Sequence, residues 1–242
     1  MMTKVAIRRL VAEIDGELRS RGTPERAVQE RRYLKSALDH YGTTVPDIRS
    51  VAKVVCRRHP EVDHADLVAL VDALWAAPVH ERRMVAVEFL NFYADRLQRA
   101  DIALLERLLR ESRTWALVDT ISASIVGGLV ERYPTLTVKL DRWAKDDDFW
   151  IRRSALLALL GPLRRGDGDF ERFSRYADAM LEEKEFFIRK AIGWVLRETA
   201  KKRPQMVYEW VLPRARRASG VTWREAIKPL SERQRAAILA AR

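Results

Sequence analysis

Trp115 and Asp119 stand four residues apart, so on a helix an indole and a carboxylate share one face, with Ser122 beside them. On a basic chain that pairing has a sharp use, which is to stabilise positive charge developing close to phosphates. The plainer reading is that an Asp in the first turn caps the helix or complements its dipole, and spacing alone leaves both open. A second pattern lies between Glu185 and Lys202. At 100° per residue Ile188, Ala191, Ile192 and Val195 form an apolar stripe, whereas Trp194 falls on nearly the opposite side with Lys190, Arg197 and Lys201. Either the ring is offered among cations to something that docks there, or it packs under a neighbouring hairpin with basic stems laid over it. A third pair is Trp150 and Arg153. Arg152 points toward Ala155 and Leu159, where an arginine braces stacked helices, which makes Arg153 the freer cation. Its guanidinium fork suits a phosphate clamp, and the alternative is a solvated charge.

Helices must position these groups. Glycines number 10 and prolines 9 in 242 residues, alternating β-branched runs are nearly lacking, and apolar residues recur at three- and four-residue steps. The chain therefore reads as all-α. Val68, Val71, Leu74 and Trp75, then Val85, Phe89 and Phe92, then Ile102, Leu105 and Leu109 mark successive helices joined at Ala77-Pro78 and Arg99-Ala100. A further helix runs from near Thr114 to Arg132 with Val118, Ile121, Ile125 and Leu129 as its core stripe. Pro46, Pro60, Pro134, Pro162 and Pro204 punctuate the rest, most of them one to three residues after a periodic stretch stops, where a proline ends a helix.

The chain also resembles itself. Phe149-Trp150-Ile151-Arg152-Arg153-Ser154 returns 37 residues later as Phe186-Phe187-Ile188-Arg189-Lys190-Ala191, with a looser copy at Glu81-Arg82-Arg83-Met84-Val85-Ala86. A period of about 37–45 residues built from helix pairs suits a HEAT-like helical repeat solenoid, expected as one domain over residues 1–242 with a concave basic face. Gly166-Asp167-Gly168-Asp169 reads as a long turn between hairpins, because no strand precedes it as a phosphate loop requires.

Charge and composition narrow the function. Lys and Arg number 45 against 34 Asp and Glu, a net +11 that points to a polyanion such as nucleic acid or an anionic membrane surface. The single cysteine, Cys56, excludes an internal disulfide framework and multi-cysteine metal sites, and its apolar surroundings read as those of a buried, inert thiol. His40, His59, His64 and His80 show no ligand spacing, so no catalytic metal and no other cofactor are expected. Nucleotide-binding glycine loops and the nucleophile elbow are likewise missing. The N-terminus carries charge before a signal-type apolar core can form, and nowhere do 18 apolar residues run together, so a cytoplasmic protein that spans no membrane is expected. Any chemistry must then run on carboxylates, aromatics and cations.

At these residues the chain resembles the bacterial DNA alkylation repair family of HEAT-like DNA glycosylases. The strongest match is the segment from Lys184 to Glu198, KEFFIRKAIGWVLRE. Around it fit Trp115-x-x-x-Asp119, Trp150-Ile151-Arg152-Arg153, Arg32-Tyr33-Leu34-Lys35, Val45-Pro46-Asp47-Ile48-Arg49 and Trp223-Arg224-Glu225-Ala226-Ile227-Lys228, so the likeness runs from about residue 30 to 230. Ala116 and Leu117 depart from the polar residues that relatives commonly carry there, off the Asp119 face.

The resemblance implies a metal-independent glycosylase, acting as a monomer on duplex DNA, that hydrolyses the N-glycosidic bond of positively charged N7- and N3-alkylated purines. Trp115, Trp194 and Asp119 would surround the damaged nucleotide, without a deep base-flipping pocket. Arg153 would lie on the DNA backbone, Tyr33 would be a further cleft residue, and Lys190, Arg197 and Lys201 would neutralise phosphates. The competing class is a non-catalytic HEAT-repeat scaffold that binds DNA or a protein, and release of free base separates the two.

Overall fold

The computed structural model describes residues 2–242 and is built of helices, with no strand among the described residues beyond one isolated bridge, Asp39 to Val79. By its internal contacts the chain divides into two compact units, one ending at Ile121 and one beginning at Ser122.

The first unit holds α1 (Lys4–Arg21), α2 (Pro24–Leu34), α3 (Val45–Arg58), α4 (His64–Trp75), α5 (His80–Phe92), α6 (Ile102–Ser112) and α7 (Trp115–Thr120). Short polar side chains start its early helices: Thr3, Thr23, Thr44 and Asp63 each accept a hydrogen bond from a first-turn backbone N–H. Ile48, Val51, Val55 and Cys56 on α3 are buried, as are Leu67, Leu70, Val71, Leu74 and Trp75 on α4 and Val85, Phe89 and Leu90 on α5. Cys56 is thus the buried thiol its neighbours announced, and burial pushes its pKa up to about 11.

One buried carboxylate organises the loop between α2 and α3. Glu81 Oε1 accepts the backbone N–H groups of Tyr41 (2.9 Å), Gly42 (2.7 Å) and Thr43 (3.3 Å). Gly42 makes that turn possible, with φ +80° and no space for a Cβ, which would fall 2.1 Å from the carbonyl oxygen of Thr23.

A π-helical stretch, Ile121–Val126, lies where the second unit begins at Ser122, and that unit continues through α8 (Gly127–Arg132), α9 (Thr137–Trp143), α10 (Phe149–Leu157), α11 (Leu160–Arg165), α12 (Phe170–Ala179), α13 (Phe186–Ala200), α14 (Pro204–Val211), α15 (Gly220–Ala226) and α16 (Glu232–Ala240). The sequence repeat has a structural counterpart here. Phe149 and Phe186 each open a helix, behind Asp148 and Glu185, which accept the N–H of Trp150 (2.8 Å) and Phe187 (3.1 Å). Arg152 donates to the carbonyl of Asp146 (2.6 Å) and Arg189 to that of Glu183 (2.6 Å), six residues back in each copy. Arg152 also grips Glu183 with Nε and Nη2 at 3.1 and 2.9 Å, which is the bracing role expected of it.

Residues 166–169 form the expected turn, Gly166 and Gly168 both having positive φ and Asp169 capping α12. The prolines need a correction. Pro46 and Pro204 stand in the first turn of α3 and α14, where a missing N–H costs nothing, so they open helices and do not close them.

Candidate nucleic-acid interface

In the first unit, α7 begins at Trp115 and carries Asp119 one turn further on, both half-buried. Thr114 occupies the N-cap position and the first turn holds no acidic residue, so Asp119 is not the cap of this helix. Tyr33, near the end of α2 and 72% exposed, meets Trp115 edge to face, the ring centroids 5.8 Å apart and the planes at 84°. Together the rings border an open cleft of about 470 Å³ that Arg26, Glu30, Arg49 and His80 also line. His80 sits deep enough that burial, with His40 beside it, pushes its pKa down to about 3.

Two residues after Asp119, at Ile121, the backbone widens into the π stretch. Hydrogen bonds that skip one extra residue break the 100° step from Ile121 onward. Ser122, placed on the Asp119 face by ideal helical spacing, is instead fully buried in the second unit and donates to Ser154 Oγ at 2.8 Å. The core stripe of Val118, Ile121, Ile125 and Leu129 is buried as its spacing requires.

In the second unit, α13 buries Ile188, Ala191, Ile192 and Val195 completely and leaves Trp194 half-buried. Lys190 is exposed, with Nζ 5.8 Å from the centre of the Phe186 ring. Arg197 and Lys201 are already matched by carboxylates. Lys201 Nζ donates to both oxygens of Glu198 at 2.8 Å, and Arg197 donates through Nη1 to Glu225 and through Nε to Glu198 at 3.4 Å. Burial works to raise the Glu198 pKa, but the hydrogen bond and charge of Lys201, with Arg164 and Arg197, outweigh it and leave the pKa below the ordinary value. The hydrogen bond from Lys228, aided by the Arg197 charge, holds Glu225 low as well. These two acids were missed as partners. The three-residue step from Glu198 to Lys201 was readable on one helix, whereas Glu225 comes from α15 and no local spacing announces it.

Arg153 differs from its expectation. It is 2% exposed, and Nη1 donates to the carbonyl of Phe187 with the guanidinium 5.9 Å from that residue's ring centre. It is therefore not the freer cation of its pair. Phe187 recruits it by packing 4.8 Å from Trp150, a contact between two repeats that periodicity within one helix does not show.

The chain belongs to the DNA alkylation repair enzyme family, whose pattern matches residues 14–230. That membership places it in DNA alkylation repair, with DNA as its partner. Its all-α helical-repeat fold is similar to that of a protein described as a predicted DNA alkylation repair enzyme from Enterococcus faecalis, at TM-score 0.79 and 22% identity over 88% of this chain and 98% of that one. It is also similar to AlkD2 from Streptococcus mutans, at TM-score 0.64 and 15% identity over 93% and 99% of the two chains. No curated protein matches it. Among the described residues no helix is long and apolar enough to cross a membrane.

Proposed function

We propose that the chain is a DNA glycosylase that hydrolyses the N-glycosidic bond of N7- and N3-alkylated purines in duplex DNA. The observation that carries this reading is Asp119, a half-buried carboxylate one helical turn after Trp115 on α7, a helix whose N-cap position is held by Thr114. Alkylation at N3 or N7 gives the purine a positive charge. When the bond from its N9 to the sugar C1′ breaks, the electron pair moves onto the base, which leaves neutral and needs little acid assistance.

The sugar left behind has cationic character. Asp119 supports that charge and orients the water whose oxygen bonds to C1′, taking up the proton the water releases. Trp115 offers its ring face to the sugar beside Asp119, and in the second unit Trp194 offers a ring face that suits a cationic base. Lys190 meets phosphates directly, and Arg197 and Lys201 do so by exchanging carboxylate for phosphate. Tyr33 fixes Trp115 through their edge-to-face contact.

The test is release of free base from methylated duplex DNA under single-turnover conditions. Asp119→Asn should lower the rate by about two orders of magnitude, since loss of a preorganised charge costs roughly 3 kcal/mol at the transition state, while DNA binding survives. A rate within about threefold of the unaltered chain would remove Asp119 from catalysis, and no release by either protein would leave a DNA-binding scaffold.

A further inference from the structure

Behind the Tyr33 and Trp115 cleft, in the first unit, several buried polar atoms converge without hydrogen-bond partners: Glu30 Oε2, both ring nitrogens of His40, and Glu81 Oε2. Unpartnered buried polar atoms are rare and costly, and this group comes from three separate elements, α2, the loop after it and α5. Each of Glu30, His40 and Glu81 offers one ligand atom, and those atoms lie within 4.8 Å of one another.

We propose that Glu30, His40 and Glu81 form a binding site for a divalent transition-metal ion, zinc by preference, that ties these three elements together. Two carboxylates and one imidazole match the oxygen and nitrogen ligands zinc takes, and their charge balances the ion. Bonds of about 2.0–2.2 Å would place ligand atoms roughly 3.3–3.6 Å apart, so a closure of about 1 Å would bring all three onto one ion, with water as the fourth ligand of a tetrahedral shell.

The surroundings hold each ligand in place. Glu81 is 0% exposed and its Oε1 is spent on three backbone N–H groups, which leaves Oε2 as the ligand atom on a fixed carboxylate. Arg26 pairs with Glu30 Oε1 at 3.5 Å, while Oε2 has no hydrogen-bond partner. His40 stacks on the buried His80 ring at 4.7 Å and 17°, while Asp39 hydrogen-bonds to Pro78 and His80 and pins the loop that carries it. The ion would be structural. Glu30 lies three residues before Tyr33 on α2, so fixing the one steadies the other against Trp115.

The experiment strips the full, untagged chain with chelator and titrates it with zinc chloride, reading stoichiometry and affinity by calorimetry and the melting temperature in parallel. His40→Gln and Glu30→Gln should each lose one equivalent or weaken it at least about tenfold. Zinc should raise the melting temperature of the unaltered chain and of neither variant. His59→Gln and His64→Gln, which alter the two histidines that neither belong to the cluster nor stack on it, should keep the tight equivalent. If His40→Gln fails to fold, Glu30→Gln decides, because its side chain lies at the cleft edge and supports no backbone turn. Equal zinc binding in all five proteins, or none in the unaltered chain, would overturn the site.

Discussion

Gly193 on α13 approaches the carbonyl oxygen of Thr222 on α15 so closely that a Cβ at 193 would lie 2.9 Å from it, and equally 2.9 Å from the Glu225 Cβ. The two helices of the second unit meet there backbone to backbone. Gly193→Ala should therefore cost stability, about 1–3 kcal/mol as overpacking usually does, even though alanine favours helix. Chemical denaturation checks it, and an unchanged midpoint would show that α15 moves away freely.

Trp194 follows that glycine but faces the other way. Because it is half-buried and outside the apolar stripe, Trp194→Ala should cost far less stability than the roughly 3–5 kcal/mol cavity penalty of a core tryptophan, and the melting temperature should fall little. Base release should weaken, and more for cationic lesions than for any neutral lesion the protein processes, since the cation meets the negative face of the ring. Equal kinetic losses on both lesions together with a large drop in melting temperature would show a packing role.

Buried against the Phe187 carbonyl, Arg153 has a structural part to play. Removing a charged donor from a buried acceptor costs on the order of 1–3 kcal/mol, so Arg153→Ala should melt earlier. Its DNA affinity should keep the salt dependence of the unaltered protein. A log–log slope smaller by about 0.9 would mean instead that the guanidinium leaves Phe187 and takes a phosphate in the complex.

The carboxylates that neutralise Arg197 and Lys201 set an acid limit. Glu198 and Glu225 both titrate below their ordinary value of 4.5 in the folded chain. Stability from these pairs is present above that value and is lost as pH falls through the lowered one. Melting temperature should fall as pH drops below the ordinary carboxylate value of 4.5, and Glu225→Gln should start lower and show a shallower acid slope. An identical slope in the variant would exclude this pair from acid unfolding.

How much of this was legible depended on the range of the interaction. The helical class, the α13 stripe, the Arg152 brace and the buried Cys56 follow from spacing within one element, and each is found. Ser122 was misplaced because a π turn changes the angular step, and no residue type in Ile121–Val126 marks that change. The burial of Arg153 depends on Phe187, 34 residues away. The histidines made no motif in sequence, yet His40 and His80 stack, because a loop returns His40 to the start of α5.

The paired reach of Arg152 and Arg189 back to a carbonyl six residues earlier has an evolutionary meaning. The two side chains use different nitrogens, Nη1 of Arg152 and Nε of Arg189, yet each reaches the carbonyl six residues back, as two copies of one tandem unit would. The paired reach also gives an engineer the minimal unit to copy: an acidic cap, an aromatic opening and an arginine three residues after that opening. A hairpin grafted without the arginine would leave those carbonyls exposed at the joint, and lengthening the array would begin by restoring it.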